Sequence, residues 1–191
     1  DVERSRGLGD VYKRQASSKL GFGASRTMQI AQRLYQGIDI EGDTIGLITY
    51  MRTDGTNISK DAIETFRSYI SDNFGKNYLP QSSLNYSGKK AKNAQEAHEA
   101  IRPTEISRNP ESLKKYLSSD QYKLYNLIWS RALSSQMESA KFDRKTITIT
   151  SNDTENIFKA SGSVLKFDGY LKLTSVEGEN ENEKILPDVE T

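Results

Sequence analysis

The chain has no cysteine, which excludes a disulfide framework and any thiolate metal site, and its one histidine, His98, leaves little scope for a nitrogen-ligated metal. No apolar run approaches the roughly 18 residues needed to cross a bilayer, and no basic start leads into an apolar stretch as in a signal peptide. These absences predict a soluble, cytoplasmic protein in a reducing setting with no membrane partner. Hydrophobic residues make up only 35% of the 191, so any core must be economical.

Charge of one sign is also scarce, since the formal net charge is +1. That near-neutrality hides an asymmetry. From Ser175 to Thr191 six acids (Glu177, Glu179, Glu181, Glu183, Asp188, Glu190) face Lys184 alone, leaving the remainder with a modest basic excess. Such an excess suits a phosphate-backbone partner, although many proteins without that role carry as much.

Residues 1–15 have no hydrophobic period and join abruptly onto patterned sequence at Ala16, as foreign sequence would. Met28, Ala31, Leu34 and Tyr35 then recur at helical spacing over 25–35, with Gly37 as a stop. Ile45 to Thr49 reads as a buried strand delivering Tyr50, Met51 and Arg52 at its end. Ser59 caps a second helix whose Ala62, Ile63, Phe66, Ile70 and Phe74 form one stripe, ended by Gly75. Tyr78 to Lys92 reads as an exposed loop, and Asn93 to Glu96 as a capping box that starts a short helix from Ala94 to Ile101 bearing His98. A helix follows from Asn109-Pro110 through Leu117. Another, capped by Ser119, carries Tyr122, Tyr125, Ile128, Trp129, Ala132, Leu133 and Met137.

After Lys141 the period changes from 3.6 to 2, with strands predicted over 146–150, 157–160 and 164–173. Three segments result: 1–15, not native to the fold; 16–138, mainly helical; and 139–191, β-rich with an acidic loop. The fold class is therefore α+β.

Two motifs carry chemistry. The run Gly46-Leu47-Ile48-Thr49-Tyr50-Met51-Arg52-Thr53-Asp54 resembles the active-site segment of type IA DNA topoisomerases, most closely the bacterial topoisomerase I form. Gln95-Glu96-Ala97-His98-Glu99-Ala100-Ile101-Arg102-Pro103-Thr104 resembles the second signature of the same domain, at a suitable distance downstream. Lys19 to Gly23, Ala31 to Tyr35 and Leu127 to Trp129 also fit, so the resemblance spans about 16–170. Within the family, topoisomerase III and reverse gyrase forms remain open.

The resemblance implies a mainly helical nucleophile-bearing domain followed by part of the β-rich arch of a toroidal enzyme. It implies Tyr50, Arg52 and His98 as catalytic residues, and Arg52, Thr53, Asp54, His98 and Arg102 as DNA-binding ones. A phenol with a pKa near ~10 is mostly protonated at neutral pH, so attack on phosphate needs a base or nearby positive charge. Two positions along an extended segment from Tyr50, Arg52 faces the same way and suits the charge that accumulates on phosphoryl oxygens. His98 suits a role in active-site protonation because its intrinsic pKa lies near neutrality. Taken singly, the Tyr is more often a packing residue, the Arg a surface one, the His exposed, and Asp54 a turn former.

The reaction so implied opens one DNA strand through a 5′-phosphotyrosine link, passes a strand and rejoins without ATP, relaxing negative supercoils. Its partners would be the single-stranded segment of negatively supercoiled DNA and a toprim domain of the same polypeptide, and its setting the nucleoid. Mg²⁺ would be held by that toprim domain outside this chain, so no metal ligand is assigned here and the fragment alone is expected to be inactive. Gly55 departs from the family's usual Ser, which removes a hydroxyl beside the site. Two other readings compete: a tyrosine recombinase or type IB enzyme, which would need a His-x-x-Arg upstream of a C-terminal Tyr, and a non-catalytic DNA-binding or structural module.

Overall fold

The computed structural model describes residues 8–51, 55–86, 99–150 and 157–174. The chain divides into two compact units, Asp1–Met137 and Glu138–Thr191. Unit 1 contains helices α1 (Leu8–Leu20), α2 (Ala24–Gln36), α3 (Lys60–Asn73), α4 (Pro110–Leu113) and α5 (Ser119–Ser134), with a small hairpin of β1 (Ile38–Ile40) and β2 (Asp43–Ile45). Unit 2 contains β3 (Lys141–Thr150), β4 (Ile157–Phe167) and the short helix α6 (Leu171–Thr174). The architecture is α+β.

In unit 1, α5 packs against α1, α2 and α4. Its apolar stripe buries Leu124, Tyr125, Ile128, Trp129, Ala132 and Leu133, as the 3.6 period predicts. The cap is Ser118 rather than Ser119, because Ser118 and Gln121 complete a reciprocal capping box. Two buried aromatic rings have their polar ends satisfied by the chain just before α4: Trp129 Nε1 donates to Ile106 O at 3.0 Å and the Tyr125 hydroxyl to Arg108 O at 2.7 Å. Burial raises the Tyr125 hydroxyl above the ordinary phenol range. In α3 the Ser59 cap and the buried Ala62, Ile63, Phe66 and Ile70 agree with the sequence pattern.

Several local expectations change. The joint at Ala16 falls inside α1, and Tyr12, on its far side, is buried with its hydroxyl 3.2 Å from Met51 O. The helix begun by Asn109-Pro110 stops at Leu113 and gives way to turns. The loop expected over 78–92 is held at its described end. There Gln136, fully buried, exchanges two hydrogen bonds with the Leu84 backbone, and the Tyr86 hydroxyl donates to Ser135 O at 2.8 Å. Of the helix expected over 94–101, residues 94–98 lie outside the described residues, and the described Glu99 to Ile101 are not helical.

In unit 2, what read as two strands, 157–160 and 164–173, is one strand up to Phe167. Ser161, Gly162 and Ser163, which looked like a turn, instead pair antiparallel with Thr146, Lys145 and Arg144. Backbone pairing needs no particular side chain, so the small polar residues that suggested a break sit in the ladder. Among the described residues, no helix is long and apolar enough to cross a membrane.

Candidate active site around Tyr50

Tyr50 stands at the end of α2, the hairpin and a short irregular segment that together set its backbone. The hairpin turns on Glu41 and Gly42, both at positive φ, as a two-residue connection between twisted strands requires. It returns the chain to the C-terminal end of α2, where Leu47 N donates to Leu34 O at 2.8 Å. Gly46 permits this close approach: a Cβ there would lie 2.7 Å from Tyr35 O.

The strand expected over 45–49 is not a sheet strand. β2 ends at Ile45, and beyond it Leu47 and Ile48 are buried in an extended run that bridges to Pro103 at Ile48. Its pairing partner is the second motif. Thr104 N donates to Leu47 O at 3.0 Å, Thr49 N to Arg102 O at 2.9 Å, and the Thr104 hydroxyl to Gly46 O at 2.8 Å. The Thr49 hydroxyl donates to Ala100 O at 2.8 Å while accepting from Arg102 N at 3.0 Å.

On the other side of Tyr50 the same segment is held again. Ala100 N donates to Asn57 O at 2.8 Å, and Ser59 N, the cap residue of α3, to Glu99 Oε1 at 3.1 Å. Residues 99–104 thus staple the chain entering Tyr50 to the chain leaving it. Sequence placed the two motifs 48 positions apart, from Tyr50 to His98; the fold makes their ends neighbours.

Between these anchors Tyr50 is 40% exposed, with its ring edge-on to Tyr35 at 5.5 Å between centroids and 71° between planes. The next residue, Met51, is buried. A half-exposed phenol on an anchored backbone can reach a bound phosphate without rearranging the core. Arg52, Thr53, Asp54 and His98 lie outside the described residues.

Arg102 is described, and its guanidinium turns inward. Nε and Nη2 take both oxygens of Glu99 at 2.7 and 3.0 Å, Nη1 donates to Pro103 O at 2.9 Å, and the side chain is 14% exposed. In this geometry the Arg102 side chain holds residues 99 and 103 of its own segment together. Burial pushes the Glu99 carboxyl up, but the hydrogen bonds from Arg102 and Ser59 outweigh it and leave the group below its ordinary range. Glu99, Thr49 and Tyr35 were not among the site residues that the sequence suggested. Each sits in a motif, yet their pairings cross distances that no local spacing encodes. Among the described residues, no group of three His, Asp or Glu could hold a metal ion.

A family model described as DNA topoisomerase matches residues 10–191. The chain belongs to the type IA DNA topoisomerases. It is 52% identical over 178 residues to DNA topoisomerase 1 of Rickettsia felis, covering 92% of this chain and 23% of that protein. To DNA topoisomerase 1 of Helicobacter pylori strain 26695 it is 47% identical over 179 residues, 94% of this chain and 24% of that one. The full-length topoisomerase I structure from Thermotoga maritima superposes with a TM-score of 0.78 at 38% identity, over 96% of this chain and 28% of that one. The chain therefore spans about a quarter of the length of these type IA topoisomerases.

Proposed function

We propose that this chain supplies the nucleophile-bearing part of a type IA topoisomerase and that Tyr50 performs the transesterification. The Tyr50 oxygen attacks a DNA phosphorus, forming a 5′-phosphotyrosine bond as the bond to the 3′ oxygen breaks. The phenol proton leaves to a base or to solvent, and the departing 3′ oxygen takes one up. One phosphoester replaces another, so the reverse attack by the 3′-hydroxyl rejoins the strand without ATP. Arg52 would hold the phosphoryl oxygens, His98 would help set protonation there, and Thr53 and Asp54 would shape the adjoining loop.

The observation that carries this reading is Tyr50 itself, partly exposed on a backbone hydrogen-bonded on both flanks to the second motif. The substrate would be the single-stranded segment of negatively supercoiled DNA in the nucleoid, and strand passage would relax the supercoils. Mg²⁺ and a toprim domain would come from outside these 191 residues.

The test grafts this chain in place of the matching 178 residues of the Rickettsia felis enzyme. With labelled single-stranded oligonucleotide the graft should form a denaturation-resistant covalent adduct and the Tyr50→Phe variant none; an adduct in the variant overturns the assignment. The 191-residue chain alone should not relax negatively supercoiled plasmid in Mg²⁺, and relaxation by it would refute its dependence on further domains.

A further inference from the structure

The staple joins the two flanks of Tyr50 through backbone groups, with the Thr49 and Thr104 hydroxyls adding side-chain bonds on the entry flank. Glu99 reaches the exit flank. Its carboxylate is the one described side-chain group that ties the exit flank, at Ser59 N, to Arg102, whose own backbone N–H and C=O engage Thr49 on the entry flank. A planar guanidinium held on both carboxylate oxygens fixes direction as well as distance. The third arm of Arg102, on Pro103 O, secures the same fork to the residue bridged with Ile48.

We infer that Glu99 is a positioning residue for Tyr50: through Arg102 and Ser59 it sets the backbone on both sides of the tyrosine, and Arg102 serves this pin rather than a DNA phosphate. The inference rests on the nucleophile reading of Tyr50. A phenol must meet phosphorus nearly in line with the leaving oxygen, so a small displacement of its backbone costs rate while leaving DNA affinity intact.

The test uses the same grafted enzyme and measures covalent adduct formation against oligonucleotide concentration, which separates the maximal rate from half-saturation. Glu99→Gln should lower the maximal rate by about tenfold with half-saturation moved less than about twofold, since only transition-state geometry is lost. Arg102→Lys, a point charge that cannot grip two oxygens in a fixed fork, should do the same. The double variant should be no worse than either single one, because both changes break one unit. Glu99→Asp, which keeps the charge, should stay within about threefold of the parent by the same reasoning.

A parental rate in Glu99→Gln, or losses that multiply in the double variant, overturns the proposal. So does a raised half-saturation at unchanged maximal rate in Arg102→Lys, which would make Arg102 a DNA contact. Circular dichroism at the assay temperature adds a further arm: a rate loss equal to the unfolded fraction reduces Glu99 to a stability residue and also overturns it. Failure of the nucleophile reading appears separately, as an adduct in Tyr50→Phe.

Discussion

Between Tyr12 and Met137 apolar side chains interlock to near-complete burial, whereas between Lys141 and Phe167 two strands hold each other by a backbone ladder while large apolar residues stand open. Among the described residues every buried large hydrophobic belongs to unit 1. In the ribbon Phe142, Ile149, Ile157 and Phe158 are 55–66% exposed. Ile149 and Phe158 are direct cross-strand partners, next to the pair Ile147 and Ala160 on the same face, so this end of the ribbon presents an apolar patch. The opposite face carries Arg144, Thr146, Thr148 and their partners, with the Thr146 and Ser161 hydroxyls in contact. The difference teaches where rigidity is available. A side chain held in one place needs a backbone fixed by packing, and unit 1 provides it around Tyr50; a two-stranded ribbon is only marginally stable by itself.

That contrast can be broken at its strongest point first. Leu124→Ala, at a fully buried position of α5, should destabilise unit 1 by about 3 kcal/mol, read by the urea midpoint of Trp129 fluorescence. The single tryptophan lies in unit 1, so the signal reports that unit alone. A loss under about 1 kcal/mol would mean the α5 core is loosely packed.

Next comes the polar tie within the same unit. Gln136→Leu leaves the Leu84 N–H and C=O without their partners and should cost about 2 kcal/mol, with faster amide exchange at Leu84. Unchanged exchange there would show that the loop is held by Tyr86 and Thr56 alone.

The third effect is smaller and depends on pH. Glu99 sits below its unfolded value, so its charge stabilises the fold above the ordinary carboxylate range, and that part fades as pH falls through the lowered folded value. Solvent reaches the pair, which keeps this contribution below about 1 kcal/mol. Glu99→Gln should flatten the acid side of the stability profile accordingly, and an unaltered profile would place the acid sensitivity elsewhere.

The smallest change should come from the ribbon. Phe158→Thr removes an exposed ring and should move the Trp129 midpoint by less than about 0.5 kcal/mol. A larger shift would mean that unit 1 depends on the ribbon for its stability.

Much of this was legible beforehand because the signals are local. The stripes of α3 and α5, the Ser59 cap and the Asn109-Pro110 start all follow from spacing and capping chemistry within one or two turns. Local signals mislead where pairing partners are remote. Ile45 to Thr49 looks like a strand, but its partner is Pro103 and its neighbours rather than a sheet. Ser161 to Ser163 looks like a turn, but the ladder with Arg144 to Thr146 runs through it.

By itself the sequence determined the family, through two motifs in order, and the helices α2, α3 and α5 of unit 1, through their periodicity. It also singled out Tyr50 as the candidate nucleophile. Only the tertiary structure decided that the second motif clasps both flanks of the first and that Arg102 faces Glu99 rather than solvent. Helical periodicity and caps are read over a few consecutive residues. A staple between positions about 50 apart exists only once the intervening chain has folded and brought its donors to its acceptors.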